Sequence, residues 1–422
     1  MTPSARIQAV LDLLNEIEKM PRPADALVSA YFRARRYIGS HDRGAISAML
    51  YDILRHQARL GWWIEKNRAE ITVRTRLLTY LILVEKKQLR DIESSFSSGK
   101  FSPAILDDGE KKLLHKLETH TIDHSEMPDE TKAECPPWAV ASLKERFGKN
   151  FMREMQALLE PAPLDLRVNP LKATREAILA ELKKLNLKAE PCPLSPFGIR
   201  IALRPNLSAL PMLKEGLVEI QDEGSQMVAL AVDAKPGMRV VDFCAGAGGK
   251  TLAIAAQMNN KGRITACDVL AKRLERSTER FRRAGLHNIE TKALKDERDP
   301  WVKKHKGDFD RVLVDAPCSG VGAWRRNPDA RWRSLGPGLE ALVPLQASIL
   351  ESAGRLVKAG GRLIYATCSL LPEENERQVE KFLAAHEDFK MVPYKGEETY
   401  LSLTPAQHNT DGFFAAVMER KS

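Results

Sequence analysis

Two cysteines sit where chemistry is possible. Cys318, in Asp315-Ala-Pro-Cys-Ser-Gly320, and Cys368, in Thr367-Cys-Ser369, each fall where a predicted strand stops. The ordinary fate of a cytosolic cysteine is to be an inert small core residue, and that reading serves for Cys135, Cys192 and Cys267. Strand ends on one edge of a parallel sheet are instead where ligands bind. A thiolate there can add to carbon 6 of a cytosine, turning a poor nucleophile into an enamine that is reactive at carbon 5. A free thiol, with a pKa of about 8.5, is mostly protonated at neutral pH, so the site must favour the thiolate. Lys250 is one source of the positive charge required. A second acid/base group must then help the cysteine leave, while a carboxylate, Asp315, can hold cytosine N3 and the exocyclic amine. The residues alone do not say which cysteine attacks.

A glycine-rich turn supplies the second piece of chemistry. Asp242-Phe-Cys-Ala-Gly246-Ala-Gly248-Gly249-Lys250-Thr251 follows a predicted strand and opens a predicted helix, a place where a ligand can approach the backbone closely. Gly-Lys-Thr closes a Walker A motif, but that spacing needs glycine at position 244, which is Cys244. A dinucleotide fingerprint needs a third glycine where Thr251 stands. An adenosyl cofactor remains, with acidic residues at the ends of the first two strands, Asp242 and Asp268; the latter would accept from both ribose hydroxyls.

These residues need a scaffold. Strands at Val240–Phe243, Ile264–Asp268, Arg311–Asp315 and Arg362–Thr367, with helices at 250–258 and 271–283, predict a doubly wound parallel sheet over residues 231–422. Residues 135–230 mix a helix (173–185) with short strands (164–168, 199–203) and predict a small α+β domain. Residues 1–134 read as all-helical, with Ile7-Val10-Leu11-Leu14-Ile17 at helical spacing and the acidic stretch 107–134 as a linker or weak helix. The chain of 422 residues carries a formal charge of +9, of which +7 falls in residues 234–422. Between Tyr31 and Arg76 there are ten basic residues against four acidic, a further excess suited to a polyanion. Six cysteines without a CxxC exclude a disulfide framework and the common zinc ribbons, and no metal is expected. Apolar runs such as 81–84 fall far short of the ~20 residues a bilayer span needs. A cytoplasmic monomer without membrane contact is the expectation.

At its reactive residues the chain resembles the Sun (Fmu) family of RNA cytosine-5 methyltransferases, and within it the bacterial 16S rRNA enzymes with a NusB-like N-terminal domain. The matching pieces are Leu166-Arg-Val-Asn169, Ile220-Gln-Asp-Glu-Gly-Ser225, the turn 242–251, Asp315–Gly320, Thr367-Cys-Ser369 and Asp411-Gly-Phe-Phe414, in the family's order. Asp42-Arg43 through Leu54-Arg55 is similar to the NusB-like part. The resemblance implies a Rossmann-like class I methyltransferase domain, a ferredoxin/RRM-like α+β domain and S-adenosylmethionine as cofactor. It implies that Cys368 is the nucleophile and that Cys318 assists release, with Asp315 and Lys250 in the catalytic group. The cofactor would be held by Cys244, Ala245, Gly246, Ala247, Gly248, Gly249 and Lys250, with Asp268, Arg273, Asp296 and Asp315.

An enzyme attacking a ring carbon must take the base out of its stack. Trp324-Arg325-Arg326 and Arg331 lie just after the PCSG motif, where arginines can pair phosphates and tryptophans can stack on bases. They are expected to contact RNA, as are Arg167 and Asn169 on the family's pattern. Two rival functions remain at this point: a methyltransferase of the same family acting on tRNA, and a non-catalytic RNA-binding or assembly factor on the same fold. Both cysteines, Lys250 and Asp315 argue against the second.

Overall fold

The structure, a computed structural model, describes residues 1–202, 210–394, 396 and 398–422. Leu203, expected to end a strand, lies outside the described residues. The chain forms two compact units, Met1–Glu160 with Trp324–Gly336, and Pro161–Ala323 with Pro337–Ser422.

The first unit is helical. Ile7, Val10, Leu11, Leu14 and Ile17 place an apolar stripe on the helix Pro3–Lys19, and all five are buried in one core with Leu50, Leu77 and Leu81. The acidic stretch is better built than its composition suggests. Asp107 and Glu110 form a capping box, the helix Asp108–Leu117 follows, and Leu113, Leu114 and Leu117 join the same core. Glu134 is fully buried and accepts from the Ala58 and Arg59 amides and from Arg59 Nε. Burial pushes its carboxyl up to about 7, against the Arg59 guanidinium that favours the anion.

Residues 324–336 complete this unit, which corrects the expectation that they bind RNA. Trp324, Arg325 and Arg331 are no more than 2% exposed. Arg331 donates to the carbonyls of Glu134 and Leu158 at 3.1 and 3.2 Å and lies over the Trp324 ring, which meets Trp138 edge-on. Asp329 accepts from the Ala24 amide at 2.9 Å, where the helix Ala24–Ala34 has no side-chain cap of its own. Arg331 and Asp329 are spent on orphan backbone groups, and of Trp324, Arg325, Arg326 and Arg331 only Arg326 is partly exposed. Arg331→Ala should destabilise this unit by about 1–3 kcal/mol, since two buried carbonyls lose their donor; a thermal midpoint equal to wild type would contradict it.

The second unit holds two sheets. β1 (Leu164–Val168), β2 (Ala189–Pro191), β3 (Gly198–Ile201) and β4 (Val218–Ile220) pair antiparallel in the order β2-β3-β1-β4. Ile178 and Leu182 of the helix Arg175–Lys184 pack on Leu166, Val168 and Ile199. Beneath, Asp165, Cys192 and Glu223 form a buried cluster whose two carboxylates one Arg200 guanidinium bridges.

The larger sheet runs β10 (Phe389–Val392), β12 (Phe413–Arg420), β9 (Val357–Thr367), β8 (Phe309–Asp315), β5 (Arg239–Asp242), β6 (Arg263–Asp268), β7 (Ile289–Ala293), with β11 (Leu401–Leu403) on β12. β5 to β9 are parallel, and β12 enters antiparallel beside β9. Apolar layers cover both faces, as a doubly wound sheet requires. Strand order reverses at β5, with β6 on one side and β8 on the other, so a crevice opens at their carboxyl ends.

Arg167 and Asn169, expected to contact RNA, join the two sheets. Arg167 is buried, its guanidinium pushed down to about 10 by that burial; it donates to Gln221 and to the Gly249 carbonyl. Asn169 donates to the carbonyls of Gly216 and Ala284. Asn169 Oδ1 also accepts from the Leu171 amide, so its side chain is fully engaged. Glu219 of β4 adds ion pairs to Arg280 and Arg283 on the helix Ala271–Ala284.

Candidate active site

The crevice is a cavity of about 510 Å³ within the second unit. Its floor is the turn after β5. Gly246 takes φ +55°, and Gly248 takes φ +78° against Phe281, where a Cβ would lie 2.6 Å from the ring. Glycine is therefore required at 248 for packing, and this residue does not line the cavity although its neighbours Cys244 to Ala247, Gly249 and Lys250 do. Asp242 is also behind the wall. It is buried, accepts from Thr251 Oγ1 at 2.7 Å and so anchors the helix Gly249–Gln257; burial pushes its carboxyl up to about 7.

Asp268, at the end of β6, faces the cavity. Its Oδ2 accepts the Gly246 amide at 2.8 Å and its Oδ1 the Leu270 amide at 2.7 Å, leaving a second lone pair on each oxygen for a diol. Val269, Leu270, Leu294, Leu345 and Ile349 give apolar walls able to take a purine, and Val269 and Leu270 are exposed at the rim. Arg273 lines the cavity as expected, but Asp296 does not: it is exposed and caps the Arg298 amide. Glu297 takes that place, fixed by Ser348 Oγ at 2.7 Å. Diol acceptors, an apolar slot and carboxylates at both ends fit an adenosyl cofactor. Asp268→Ala should weaken S-adenosylmethionine binding about 10- to 150-fold, one charge-assisted hydrogen bond being worth ~1.5–3 kcal/mol; equal affinity by calorimetry would remove Asp268 from the site.

Beside this cavity stand the reactive groups. Asp315, at the end of β8, bonds Lys250 Nζ through Oδ2 at 2.6 Å, so Oδ1 stays available. Burial works against the Lys250 ammonium, but Asp315, with a smaller contribution from Cys368, raises its pKa. Lys250 also lies over the Phe413 ring. Cys318 and Cys368 are half-buried with their sulfurs 3.4 Å apart. The contact with Cys368 and then burial push the Cys318 thiol well up. Burial pushes the Cys244 thiol well up.

The structure adds residues that the sequence reading passed over. Glu374 and Asn375 bond the loops carrying the two cysteines, and Gln346 reaches the same point from the helix Leu339–Gly354. Their signal was the polar run Pro372-Glu-Glu-Asn-Glu376 directly after the Thr-Cys-Ser strand end.

Comparison with known proteins agrees with this geometry. The family profile "16S rRNA methyltransferase RsmB/F" matches residues 229–419, and a ferredoxin-like domain profile of the RsmF/B-like methyltransferases matches 135–207. The ribosomal RNA small subunit methyltransferase B of Pectobacterium atrosepticum is 30% identical over 404 residues, 90% of this chain and 91% of that one. A probable enzyme of the same name from Synechocystis is 36% identical over 297 residues, covering 68% and 66%. Among solved structures, PH0851 superposes with a TM-score of 0.83 at 27% identity over 100% of this chain and 99% of its own. A methyltransferase homologue from Pyrococcus horikoshii gives 0.60 at 27% over 69% and 97%.

Proposed function

The chain belongs to the RsmB/F family of 16S rRNA methyltransferases, and from that premise we propose that it methylates carbon 5 of a cytosine in 16S rRNA through a covalent cysteine–cytosine adduct. S-adenosylmethionine, the family's cofactor, supplies an electrophilic methyl group when bound.

The observation that carries the reading is the pair of sulfurs 3.4 Å apart next to the Lys250–Asp315 ion pair. Sequence alone left the two cysteines equivalent. Contact with Cys368 and then burial push the Cys318 thiol up, and the Lys250 ammonium interacts with Cys368; both support Cys368 as the attacking sulfur. Cys368 Sγ adds to carbon 6 of the ring. The free Oδ1 of Asp315 accepts a hydrogen bond from the exocyclic amine and so orients the ring over the sulfur. After carbon 5 is methylated its proton passes to solvent water, the electron pair re-forms the carbon 5–carbon 6 double bond, and the carbon 6–sulfur bond breaks to return Cys368 as thiolate; Cys318, in contact with the departing sulfur, assists this release. Lys250 stabilises the thiolate before and after.

Labelled S-adenosylmethionine, offered with 16S rRNA and with tRNA and followed by bisulfite sequencing, tests the reading. A bisulfite-resistant cytosine in 16S rRNA is the expected result. Label in tRNA alone would move the substrate to the tRNA reading, and no label in either RNA would leave a non-catalytic binding factor.

A further inference from the structure

Glu374 has no solvent-exposed surface, yet it carries a carboxylate. Its oxygens accept from the Ser319 amide at 2.8 Å, from Ser319 Oγ and from Gln346 Nε2 at 2.9 Å. Gln346 also donates to the Pro317 carbonyl at 2.9 Å. Residues 317 and 319 are therefore both fastened, and Cys318 lies between them. The next residue, Asn375, does the same for the other cysteine. Its Nδ2 donates to the Ser369 carbonyl at 3.0 Å and its Oδ1 accepts from Thr367 Oγ1, so Cys368 too is flanked by fastened neighbours. The Tyr365 hydroxyl, from within β9, donates to the Glu374 carbonyl and fixes the pair itself. Three neutral donors around a buried carboxylate form a costly arrangement to break, because each donor would be left unpaired.

We propose that Glu374 and Asn375 are positioning residues that aim the two cysteines separately, Glu374 setting Cys318 and Asn375 setting Cys368. The inference rests on the roles given to those cysteines above. A glutamine at 374 points an amide N–H at donors and releases the Pro317–Ser319 loop; an alanine at 375 frees the Thr367–Ser369 turn. The two lesions then fall on different steps.

The test compares Glu374→Gln, Asn375→Ala and Cys318→Ala on 16S rRNA, measuring turnover and denaturant-stable protein–RNA adduct, with S-adenosylmethionine affinity as the folding check. Each of the first two variants should lose about 100-fold in turnover, the effect of a ~1 Å misplacement of a reacting group. Adduct should accumulate in Glu374→Gln and be absent in Asn375→Ala. Equal adduct in both, as general loosening would give, overturns the inference, and so does wild-type turnover in either. Adduct in Cys318→Ala but none in Glu374→Gln overturns the inference alone; no adduct in Cys318→Ala overturns the release role beneath it. If either variant fails to bind the cofactor, Ser319→Ala and Thr367→Val, which remove the hydroxyl bonds to Glu374 and Asn375 together with each hydroxyl's contact to Ser369, must show the same split at smaller amplitude, and its absence overturns the proposal.

Discussion

Cys368→Ala should lower methyl transfer about 10⁴-fold or more, the scale of losing a covalent nucleophile, and leave S-adenosylmethionine binding unchanged. Cys368 is outside the cavity lining, which is built from the turn after β5, the end of β6 and Asp315. Alanine removes the sulfur without touching Thr367 or Ser369, whose bonds to Asn375 hold the turn. A single-turnover assay with 16S rRNA separates the outcomes: residual transfer within about tenfold of wild type would mean that the nucleophile lies elsewhere, with Cys318 next in line.

The second large effect is one of accumulation. Cys318→Ala should form the bond to RNA and fail to break it, so that a species stable to denaturant builds up to a stoichiometric level while product does not. Cys318 is the group in contact with the departing sulfur, at 3.4 Å, and that contact together with burial pushes its thiol up. An electrophoretic shift that requires RNA, cofactor and Cys368 together is the signature. Product at the wild-type rate with no shifted band would assign release to another group.

Much of the catalytic unit was legible in the sequence because its signals are local. Val240-Val241, Ile264 to Asp268 and Leu313-Val314 are unbroken apolar strands of a sheet buried on both faces, and each ends on a residue able to do chemistry. β7 was missed for the opposite reason: Ile289-Glu-Thr-Lys-Ala lies at the sheet edge, largely exposed, and has no apolar run. Asp296 was misplaced by one residue because its charged neighbour Glu297, rather than Asp296, turns into the cavity, and only the backbone decides which does. The arginines of 325–331 were misread because composition reports charge but not burial. What consumes Arg331 is a pair of carbonyls nearly two hundred positions earlier in the chain, at 134 and 158. The same distance hides Arg167, whose partner Gly249 lies 82 residues away.

That distant pairing has a consequence for how the chain is made. The helical unit is finished only by residues 324–336, so after Glu160 leaves the peptidyl-transferase centre another 176 residues, 161 to 336, must be synthesised before its last layer exists. At about 5–20 residues per second this is a delay on the order of 10–35 seconds. Throughout it the Ala24 amide and the Glu134 and Leu158 carbonyls have no Asp329 or Arg331 to meet. A nascent chain stalled at residue 200 should expose protease sites within residues 1–160 that close once synthesis passes Gly336. The helical unit, the first to emerge, is thus completed only after the strands β1 to β4 have been made, though still before the larger sheet, whose β9 to β12 come later.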